Sequence, residues 1–217
     1  GSGCSADGNI LIDSGIYDAF VAALVKEGGY LTDKTQAAAI EKVMWDTQGH
    51  RRPETVACPP QVITAAAGFV IPADRKFLIV ENDAIGPQHN YSREKLTTLL
   101  AVYRYEGFDQ ALDMVRKIYD VGGKGHSCGI YSTSDDNIMK LANATKTSRV
   151  IVNQPQAPSN SGNLWNRMRQ TFSLGCGSWG GNSTNNNITW RDLINETWVS
   201  KPLAQTKVLP PDDVLFG

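Results

Sequence analysis

The sequence lacks an excess of charge of either sign. Its 217 residues include 21 Lys and Arg against 22 Asp and Glu, which leaves a formal net charge of -1. A charge so close to zero gives the chain no general attraction to nucleic acid or to an anionic membrane surface. We therefore expect no nucleic acid and no membrane among its partners.

Long apolar runs and clustered cysteines are also absent. The longest nearly apolar stretch, residues 62–71, is about half as long as the ~20 residues that a transmembrane helix needs. The four cysteines, at positions 4, 58, 128 and 176, form no C-x-x-C pair and have no histidine at metal-ligand spacing. This pattern predicts neither a disulfide framework nor a metal site.

The first residues lack both a methionine and a basic segment followed by an apolar one. The chain begins GSGCSADG, a run of mostly small residues, from which we expect either the remnant of a tag or a cut from a longer protein. Without a secretion signal, the reducing cytoplasm is the expected location.

Apolar runs of the buried-strand type alternate with amphipathic helical patterns. Strands are predicted at residues 9–12, 76–83, 99–104, 126–132 and 148–153. Helices are predicted to begin at Asp13 or Ser14, at Asp33, at Pro59 or Pro60, near Phe108 and near Ser134. Strands that are apolar on both faces indicate an α/β fold, a three-layer αβα sandwich around a mostly parallel sheet.

The composition changes after Pro155. Gly, Ser and Asn dominate much of residues 156–187, and so long a stretch of turn-forming residues is more often functional than a passive connection. One late extended strand is predicted at residues 196–203, and we expect it to pair with a neighbouring subunit. An extended tail is predicted after it. The whole chain, 1–217, is interpreted as one domain, with the late strand and tail in residues 195–217.

Three side chains are candidates for chemistry, and the residues alone leave two interpretations of each open. Cys4 lies among small residues that would leave a nucleophilic thiol accessible, but it is also an ordinary cysteine near a chain end. His126 follows GGKG and starts a strand, as a general base or a structural histidine would. Glu94 is suited to bind a sugar hydroxyl pair or simply to face solvent.

The segment GCGSWGG satisfies the dinucleotide-binding pattern G-x-G-x-x-G. A working fingerprint needs a helix directly after it, because the helix N-terminus binds the pyrophosphate. Here NSTNNN follows, which is poor helix-forming sequence. We therefore interpret this segment as a tight loop that lines a site rather than as a phosphate-binding turn.

Six segments, taken in order along the chain, match one enzyme family. They are CSADGNILIDSGIYDAF, EGGYL, EKLTTLLAVYR, GGKGHSCGIYS, SRVIVNQP and SLGCGSWGGNST. Together they resemble the CoA-acylating aldehyde dehydrogenases, including the aldehyde dehydrogenase half of bifunctional alcohol/aldehyde enzymes. The resemblance covers nearly the whole chain up to Lys201. It implies the catalytic domain of such an enzyme, with the amino-terminal NAD(P)-binding domain absent from this chain.

The resemblance implies a mechanism centred on Cys4, the match to the catalytic cysteine of the family. The thiolate adds to an aldehyde, hydride leaves to NAD or NADP, and the thiol of coenzyme A attacks the resulting thioacyl-enzyme. By the same resemblance, His126 matches the histidine of the G-x-G-H-[ST] segment and is expected near the cofactor or in proton transfer.

Further site residues follow from the same resemblance. Glu94 matches a residue that contacts the nicotinamide ribose, although EKLTT replaces the E-x-F-G-P of the hydrolytic branch, which favours the acylating branch. Gly180 and Gly181 are expected to contact the cofactor. Ser5 and Trp179 are expected to line the substrate pocket.

The expected substrate is a short-chain aldehyde of the acetaldehyde, succinate semialdehyde or sulfoacetaldehyde type. Arg167 and Arg169, near Trp165, are candidates to attract an acidic group on the aldehyde, or are surface arginines. Coenzyme A is the expected second substrate, and a homodimer or tetramer is the expected assembly.

Three other hypotheses stay open. The chain is alternatively a catalytically silent, truncated oligomerisation module, or part of a hydrolytic aldehyde dehydrogenase. A third alternative, a thiol hydrolase, requires Cys4 and His126 to meet in space together with a third group that orients the histidine.

Overall fold

The computed structural model describes residues 3–202 and 210–217, in which short strands alternate with helices. The strands are β1 (Asn9–Asp13), β2 (Gly29–Leu31), β3 (Phe77–Glu81), β4 (Leu99–Tyr105), β5 (Cys128–Ile130) and β6 (Val150–Val152). The helices are α1 (Tyr17–Lys26), α2 (Lys34–Met44), α3 (Pro60–Ala66), α4 (Phe108–Gly122), α5 (Asp135–Ala144), α6 (Gln156–Asn160) and α7 (Asp212–Phe216). Short 3-10 turns lie at Pro53–Thr55, Asn90–Ser92, Ser178–Gly180 and Trp190–Leu193.

The six strands form two parallel sheets. One sheet has four strands in the order β1-β4-β3-β2, and the other pairs β5 with β6. Every strand pair in the two sheets is parallel. The α/β prediction with a mostly parallel sheet is therefore confirmed, with the strands divided between two sheets.

Side chains along the central strands β3 and β4 point alternately to the two faces of the sheet, and each face is covered by helices. Ile79 of β3 and Val102 of β4 pack with Tyr17 and Val21 of α1 on one face of the four-stranded sheet. The neighbouring residues on these strands point to the other face because side chains alternate along a strand. There they join a larger core with α2, α3 and part of α4; its members include Leu78, Val80, Ala101, Tyr103, Ile40, Met44 and Ile63. Helices thus cover both faces, as the predicted αβα sandwich requires.

Helix α4 connects the two sheets. Met114 and Ile118 pack against the larger core of the first sheet. Leu112 and Val115, on another side of α4, join α5 and the strands β5 and β6 in a separate cluster. Full burial of each such side chain contributes about 1.5–3 kcal/mol, so α4 holds the β5–β6 unit on the rest of the fold.

Two of the predicted helix starts are capped as their residue types suggest. The Asp33 carboxylate accepts a hydrogen bond from the Gln36 backbone N–H, and the Gln36 side-chain oxygen accepts one from the Asp33 backbone N–H, which completes a capping box at α2. The Ser134 hydroxyl accepts from the backbone N–H of Asn137 and caps α5.

Strand β2 is an element that the sequence pattern did not predict. The Gly28-Gly29 pair indicates a helix end, and Gly28 does adopt a left-handed φ of 105° there. The chain then pairs Gly29 directly with Phe77 of β3. A Cβ at position 29 would lie 2.8 Å from the Leu24 carbonyl oxygen of α1, so this close approach of strand and helix requires glycine.

The late strand predicted at residues 196–203 is not formed within this chain. Residues 196–202 have no regular structure and are exposed, and position 203 lies outside the described residues. A strand needs a partner ladder, and no strand of the described chain lies beside this segment. Pairing with a neighbouring subunit therefore stays a prediction. Among residues 3–202 and 210–217, none of the helices combines the length and the apolar character that a bilayer crossing demands.

The parallel topology places the candidate residues at strand starts. Cys4 precedes β1, Glu94 precedes β4 and His126 precedes β5. Because β1 and β4 are adjacent and parallel, the segments that lead into them emerge at the same edge of the sheet. This edge is where the site is assembled.

Candidate active site

Cys4 lies on a tight turn that enters β1. The Ala6 backbone N–H donates to the Gly3 carbonyl at 2.9 Å, which closes the turn around Cys4 and Ser5. Cys4 is exposed and its thiol is free. Ser5 is half-buried, with its hydroxyl oxygen 4.0 Å from the Cys4 sulfur. The turn thus presents an accessible thiol, as a nucleophile requires.

His126 meets Cys4 across the site. Its Nε2 lies 3.3 Å from the Cys4 Sγ, within hydrogen-bond range for sulfur, and its Nδ1 lies 2.8 Å from the Ser127 Oγ. In a neutral imidazole one nitrogen donates and the other accepts. With Nδ1 donating to Ser127, Nε2 is free to accept the proton of the thiol. This is the geometry that a nucleophile, a base and a group that orients the base require.

The charge state of His126 follows from its surroundings. Partial burial lowers the pKa of His126 below the usual 6.5, and the positive charge of Arg149 lowers it further. Both effects disfavour the imidazolium. The imidazole is therefore kept in the neutral form that a general base needs at neutral pH.

The main chain before β5 sets the position of His126. Gly125 forms a parallel bridge with Thr147, its N–H donates to the Lys146 carbonyl at 2.8 Å, and its carbonyl accepts from Ser148 at 2.9 Å. These contacts extend the β5–β6 ladder by one step beyond the strands. His126 thus follows directly from a hydrogen-bonded segment rather than a free loop.

The glycine-rich loop, defined here as residues 174–182, packs against the same segment. A Cβ on Gly125 would overlap the Cys176 carbonyl oxygen, and a Cβ on Gly180 would lie 2.5 Å from the Cys176 Cβ. Gly181 adopts a left-handed φ of 72° and has open space beside it. Trp179 is 46% exposed on this loop. The structure therefore places the glycine-rich loop next to His126, where it is able to line the site.

The G-x-G-x-x-G pattern in this loop does not form a phosphate-binding turn. Only the three-residue 3-10 turn Ser178–Gly180 lies within it, and residues 181–189 form no α-helix. The pyrophosphate of a dinucleotide therefore finds no helix N-terminus here.

Arg149 is a site residue that the sequence analysis missed. It is 5% exposed and donates from Nε to the Asn187 Oδ1 at 2.7 Å and from Nη1 to the His126 carbonyl at 3.1 Å and the Gly175 carbonyl at 3.0 Å. The one signal in the sequence is a cation directly before the apolar run VIV, where an apolar residue is the norm.

Glu94 lies on the same sheet edge without a described contact to Cys4 or His126. It is exposed. The next residue, Lys95, is 2% exposed and donates from Nζ to the Asn9 Oδ1 at 2.5 Å. Asn9 in turn donates to the Ser92 carbonyl at 3.2 Å. These bonds anchor the Glu94 segment to the start of β1, five positions after Cys4, and leave the Glu94 carboxylate free to bind.

Arg167 and Arg169 lie elsewhere on the surface. Both are exposed, as is Trp165, and Arg167 has an unusual positive φ of 58°. The Arg169 carbonyl accepts from the Asn187 side chain at 2.8 Å. In the described chain neither guanidinium contacts Cys4 or His126, so a role in attracting an acidic aldehyde stays a prediction.

Comparison with curated proteins found acylating aldehyde dehydrogenases. The chain is 37% identical over 218 residues to a sulfoacetaldehyde dehydrogenase of an Acholeplasma species, covering 99% of this chain and 44% of that protein. It is 35% identical to the acylating sulfoacetaldehyde dehydrogenase of Bilophila wadsworthia, covering 93% of this chain and 44% of the relative. It is 29% identical to the acetylating succinate-semialdehyde dehydrogenase of Clostridium kluyveri, covering 99% of this chain and 47% of that protein. The chain thus spans less than half the length of these relatives. No protein-family model matches it.

Solved structures share the fold. An acetylating aldehyde dehydrogenase from Geobacillus thermoglucosidasius superposes with a TM-score of 0.86 at 28% identity, over 95% of this chain and 46% of that one. A propionaldehyde dehydrogenase from Rhodopseudomonas palustris with bound propionyl-CoA has a TM-score of 0.71 at 20% identity, over 84% of this chain and 39% of that one. An engineered glycolyl-CoA reductase with bound NADP+ also has a TM-score of 0.71 at 20% identity, over 84% of this chain and 40% of that one. The predicted fold class is confirmed.

Proposed function

The chain is homologous, over almost its whole length, to one part of the acylating aldehyde dehydrogenases, and from this premise we propose that it is their cysteine-bearing catalytic domain. The proposed reaction converts an aldehyde, coenzyme A and NAD(P)+ into an acyl-CoA, NAD(P)H and a proton, and is reversible. The observation that carries the proposal is the 3.3 Å contact between His126 Nε2 and Cys4 Sγ. This pair supplies the activated thiol that every step of the reaction needs.

The first step is addition of Cys4 to the aldehyde. His126 takes the thiol proton, and the thiolate sulfur bonds to the carbonyl carbon, which places a negative charge on the former carbonyl oxygen. In residues 3–202 the backbone N–H groups of Cys4 and Ser5 donate no described hydrogen bond, so both remain available to stabilise this oxyanion. The carbon–oxygen double bond then re-forms as the hydrogen on that carbon departs as hydride, leaving a thioester on Cys4.

The hydride acceptor is NAD(P)+, which takes the two electrons and the hydrogen from the substrate carbon. The described residues contain an exposed carboxylate, Glu94, suited to a ribose, but the glycine-rich loop offers no helix N-terminus for the phosphates. We therefore place dinucleotide binding mainly on a separate domain, in agreement with the 44% coverage of the relatives. Glu94, Gly180 and Gly181 are proposed to contact the nicotinamide end.

The last step is transfer of the acyl group to coenzyme A. His126 first releases the proton of Cys4 to solvent, which restores the neutral imidazole. The thiol of coenzyme A then loses its proton to His126 and attacks the thioester carbon, and the Cys4 thiolate leaves and takes up that proton. The exposed position of Cys4 allows a second large substrate to approach after the first. The half-exposed Trp179 is proposed to border the space that both substrates use.

The natural aldehyde is proposed to be short and acidic, because relatives at 37% and 35% identity are named for sulfoacetaldehyde and one at 29% for succinate semialdehyde. Comparison of kcat/KM for sulfoacetaldehyde, succinate semialdehyde and acetaldehyde, in the chain joined to a dinucleotide-binding domain, tests this. Equal kcat/KM for acetaldehyde and the acidic aldehydes would contradict it.

A second candidate function is a thiol hydrolase. Ser127, at 2.8 Å from His126 Nδ1, supplies the third group that such a triad needs. Hydrolysis and CoA transfer share the acyl-Cys4 intermediate and differ only in what attacks it. The fate of that intermediate therefore distinguishes the two functions.

The experiment is acylation of Cys4 by an acyl-CoA without nicotinamide, which is a redox-neutral exchange of one thioester for another. The chain is mixed with acetyl-CoA or succinyl-CoA, its intact mass is measured, and the modified peptide is mapped. We expect an acyl adduct on the Cys4 peptide that added CoA discharges. The adduct should be lost in Cys4→Ala and retained in the matched control Cys58→Ala.

Two other outcomes decide against the proposal. Discharge of the adduct by water as fast as by CoA would favour the hydrolase or a hydrolytic aldehyde dehydrogenase. No adduct on Cys4 in the folded chain would favour the silent oligomerisation module.

Exposed apolar side chains support contact with another domain or subunit. Leu164, Phe172 and Trp198 are each at least 90% exposed. Such apolar groups on one segment favour an interface over open solvent. We propose that the assembled enzyme is a homodimer or tetramer, and that a cytoplasmic location keeps the Cys4 thiol reduced.

A further inference from the structure

Arg149 is a buried cation without a carboxylate partner in the described chain. It is 5% exposed, and none of the ion pairs formed by residues 3–202 and 210–217 includes it. Taking a guanidinium out of water costs several kcal/mol unless its donors are satisfied. Its neighbours must therefore provide what water or a carboxylate would otherwise supply.

Neutral oxygens surround the guanidinium instead. Nε donates to the Asn187 side chain, and Nη1 donates to the His126 and Gly175 carbonyls. Nη2 donates to the carbonyls of Asn185 at 3.4 Å and Asn186 at 3.1 Å. These bonds join three parts of the chain: the start of β6, the histidine before β5, and the segment 175–187 that includes most of the glycine-rich loop.

The side-chain type matters for this junction. Arg presents five donors in one rigid plane, whereas Lys presents three donors at one point. Only the planar guanidinium can donate at once to the Asn187 side chain, to the His126 and Gly175 carbonyls, and to the carbonyls of residues 185 and 186. The geometry therefore requires arginine rather than merely a positive charge.

We propose that Arg149 is a positioning residue, which holds the main chain of His126 at the distance where its imidazole contacts Cys4 and keeps the glycine-rich loop packed beside it. This inference rests on the proposed function, since it assigns a role to the Cys4–His126 pair. Arg149 touches no substrate in this proposal and acts through His126.

The electrostatics agree with that position. Arg149, directly before β6, is the charged group that acts on His126, and Cys176 on the glycine-rich loop and Cys4 on the entering turn act in turn on Arg149. The charge of Arg149 disfavours the imidazolium and lowers the pKa of His126. Arg149 thus favours the neutral imidazole that the proposed base needs.

The test measures the alkylation rate of Cys4 by iodoacetamide between pH 5 and 10, with the modified peptide quantified by mass spectrometry. This reaction needs no aldehyde, coenzyme A or nicotinamide. The variants are Arg149→Lys and Arg149→Met, with His126→Ala as the reference for loss of the pair. Arg75→Lys and Arg75→Met are matched controls, because Arg75 also donates to two backbone carbonyls, of Val25 and Gly29, at 3.2 and 3.1 Å.

We expect both Arg149 variants to slow alkylation at pH 7 by about tenfold or more, since small misplacement of a reacting group has effects of this order. Their pH profiles should approach that of His126→Ala. The Arg75 variants should lower the melting temperature without moving the profile. In Arg149→Lys/His126→Ala, alkylation should be no slower than in His126→Ala alone.

Three results would overturn the inference. The first is that Arg149→Lys keeps the wild-type alkylation rate of Cys4 and its pH profile. The second is that the double variant alkylates more slowly than His126→Ala alone, and the third is that the Arg75 and Arg149 variants change the pH profile equally. If His126→Ala itself leaves Cys4 alkylation unchanged, the proposed function fails first, and the two failures are thereby distinguished. Should Arg149→Met fail to fold, Arg149→Lys and the double variant still decide.

Discussion

His126 Nε2 lies 3.3 Å from Cys4 Sγ although 122 positions separate the two residues in the chain. The contact joins the turn before β1 to the segment before β5, which belong to different sheets. Helix α4 carries the chain from one sheet to the other and packs on both. The reacting pair therefore depends on the packing of the whole fold and not on any local motif.

Loss of the imidazole should slow acylation of Cys4. We predict that His126→Ala lowers the rate of acyl transfer from acetyl-CoA to Cys4 by about 10²–10⁴, the usual contribution of a general base. His50→Ala is the matched control, because His50 is exposed and its Nδ1 contacts Asp46 at 3.1 Å on the surface. An equal loss in both variants would argue that the effect is structural.

The pH dependence of this step has a defined sign. The pKa of His126 is lowered from 6.5 by burial and by Arg149, so the neutral base persists below pH 6.5. We predict that the acidic limb of the acylation rate lies below pH 6.5. The unfolded chain binds the proton more readily than the folded one, so His126 also destabilises the fold as pH falls through 6.5. Urea melts of wild type and His126→Gln at pH 5 and 7.5 measure this contribution, which the variant should lack.

Much of the fold could be predicted because its signals are local. Apolar runs mark β1, β3 and β4, and Asp33 and Ser134 cap helices with their own side chains. Strand β2 escaped prediction because Gly28-Gly29 is a helix-end signal, and only pairing with β3 makes the next residues a strand.

The site divides in the same way. The residue types and local sequences of Cys4 and His126 made them candidates, and their roles were predicted from the resemblance to the acylating aldehyde dehydrogenases. Arg149 was not predicted, because most of its partners are backbone carbonyls, and three of these, of Gly175, Asn185 and Asn186, lie 26 to 37 positions away. A carbonyl has no residue-type signature in a sequence. The role of such a residue can be recognised only in the folded structure, where the loop packs around it.

The packing of the glycine-rich loop gives a third prediction. A methyl group at Gly125 would overlap the Cys176 carbonyl oxygen, and the φ of 102° is strained for any other residue. We predict that Gly125→Ala displaces the loop and lowers Cys4 acylation by about tenfold or more. Gly122→Ala is the control, since nothing lies within 4 Å of its Cβ position. Normal acylation in Gly125→Ala would separate the loop from the function of His126.

The buried Lys95 gives a fourth prediction. Complete burial lowers the pKa of Lys95 well below 10.5, and its amine donates to Asn9. The unfolded chain therefore binds this proton more strongly, and the fold gains stability as pH rises toward 10.5. We predict that Lys95→Met removes this rise, measured as the urea midpoint at pH 7 and 9.5. Lys42→Met, at an exposed position, should keep the wild-type difference between the urea midpoints at pH 7 and pH 9.5. An unchanged difference in Lys95→Met would show that Lys95 is charged in the fold.

The exposed segment 196–202 gives the last prediction. Trp198 and Val199 are 90% and 79% exposed, and an extended segment with such apolar side chains suits the edge of a second subunit's sheet. Deletion of residues 196–202 should lower the mass measured by light scattering, because the extra strand and its apolar side chains are lost from the interface. Val70→Ala, at another position that is 89% exposed, should leave the mass unchanged. If the deleted chain keeps the mass of the wild-type assembly while Cys4 still acylates, subunits meet through another surface, and the apolar side chains of residues 164–194 become the next segment to test.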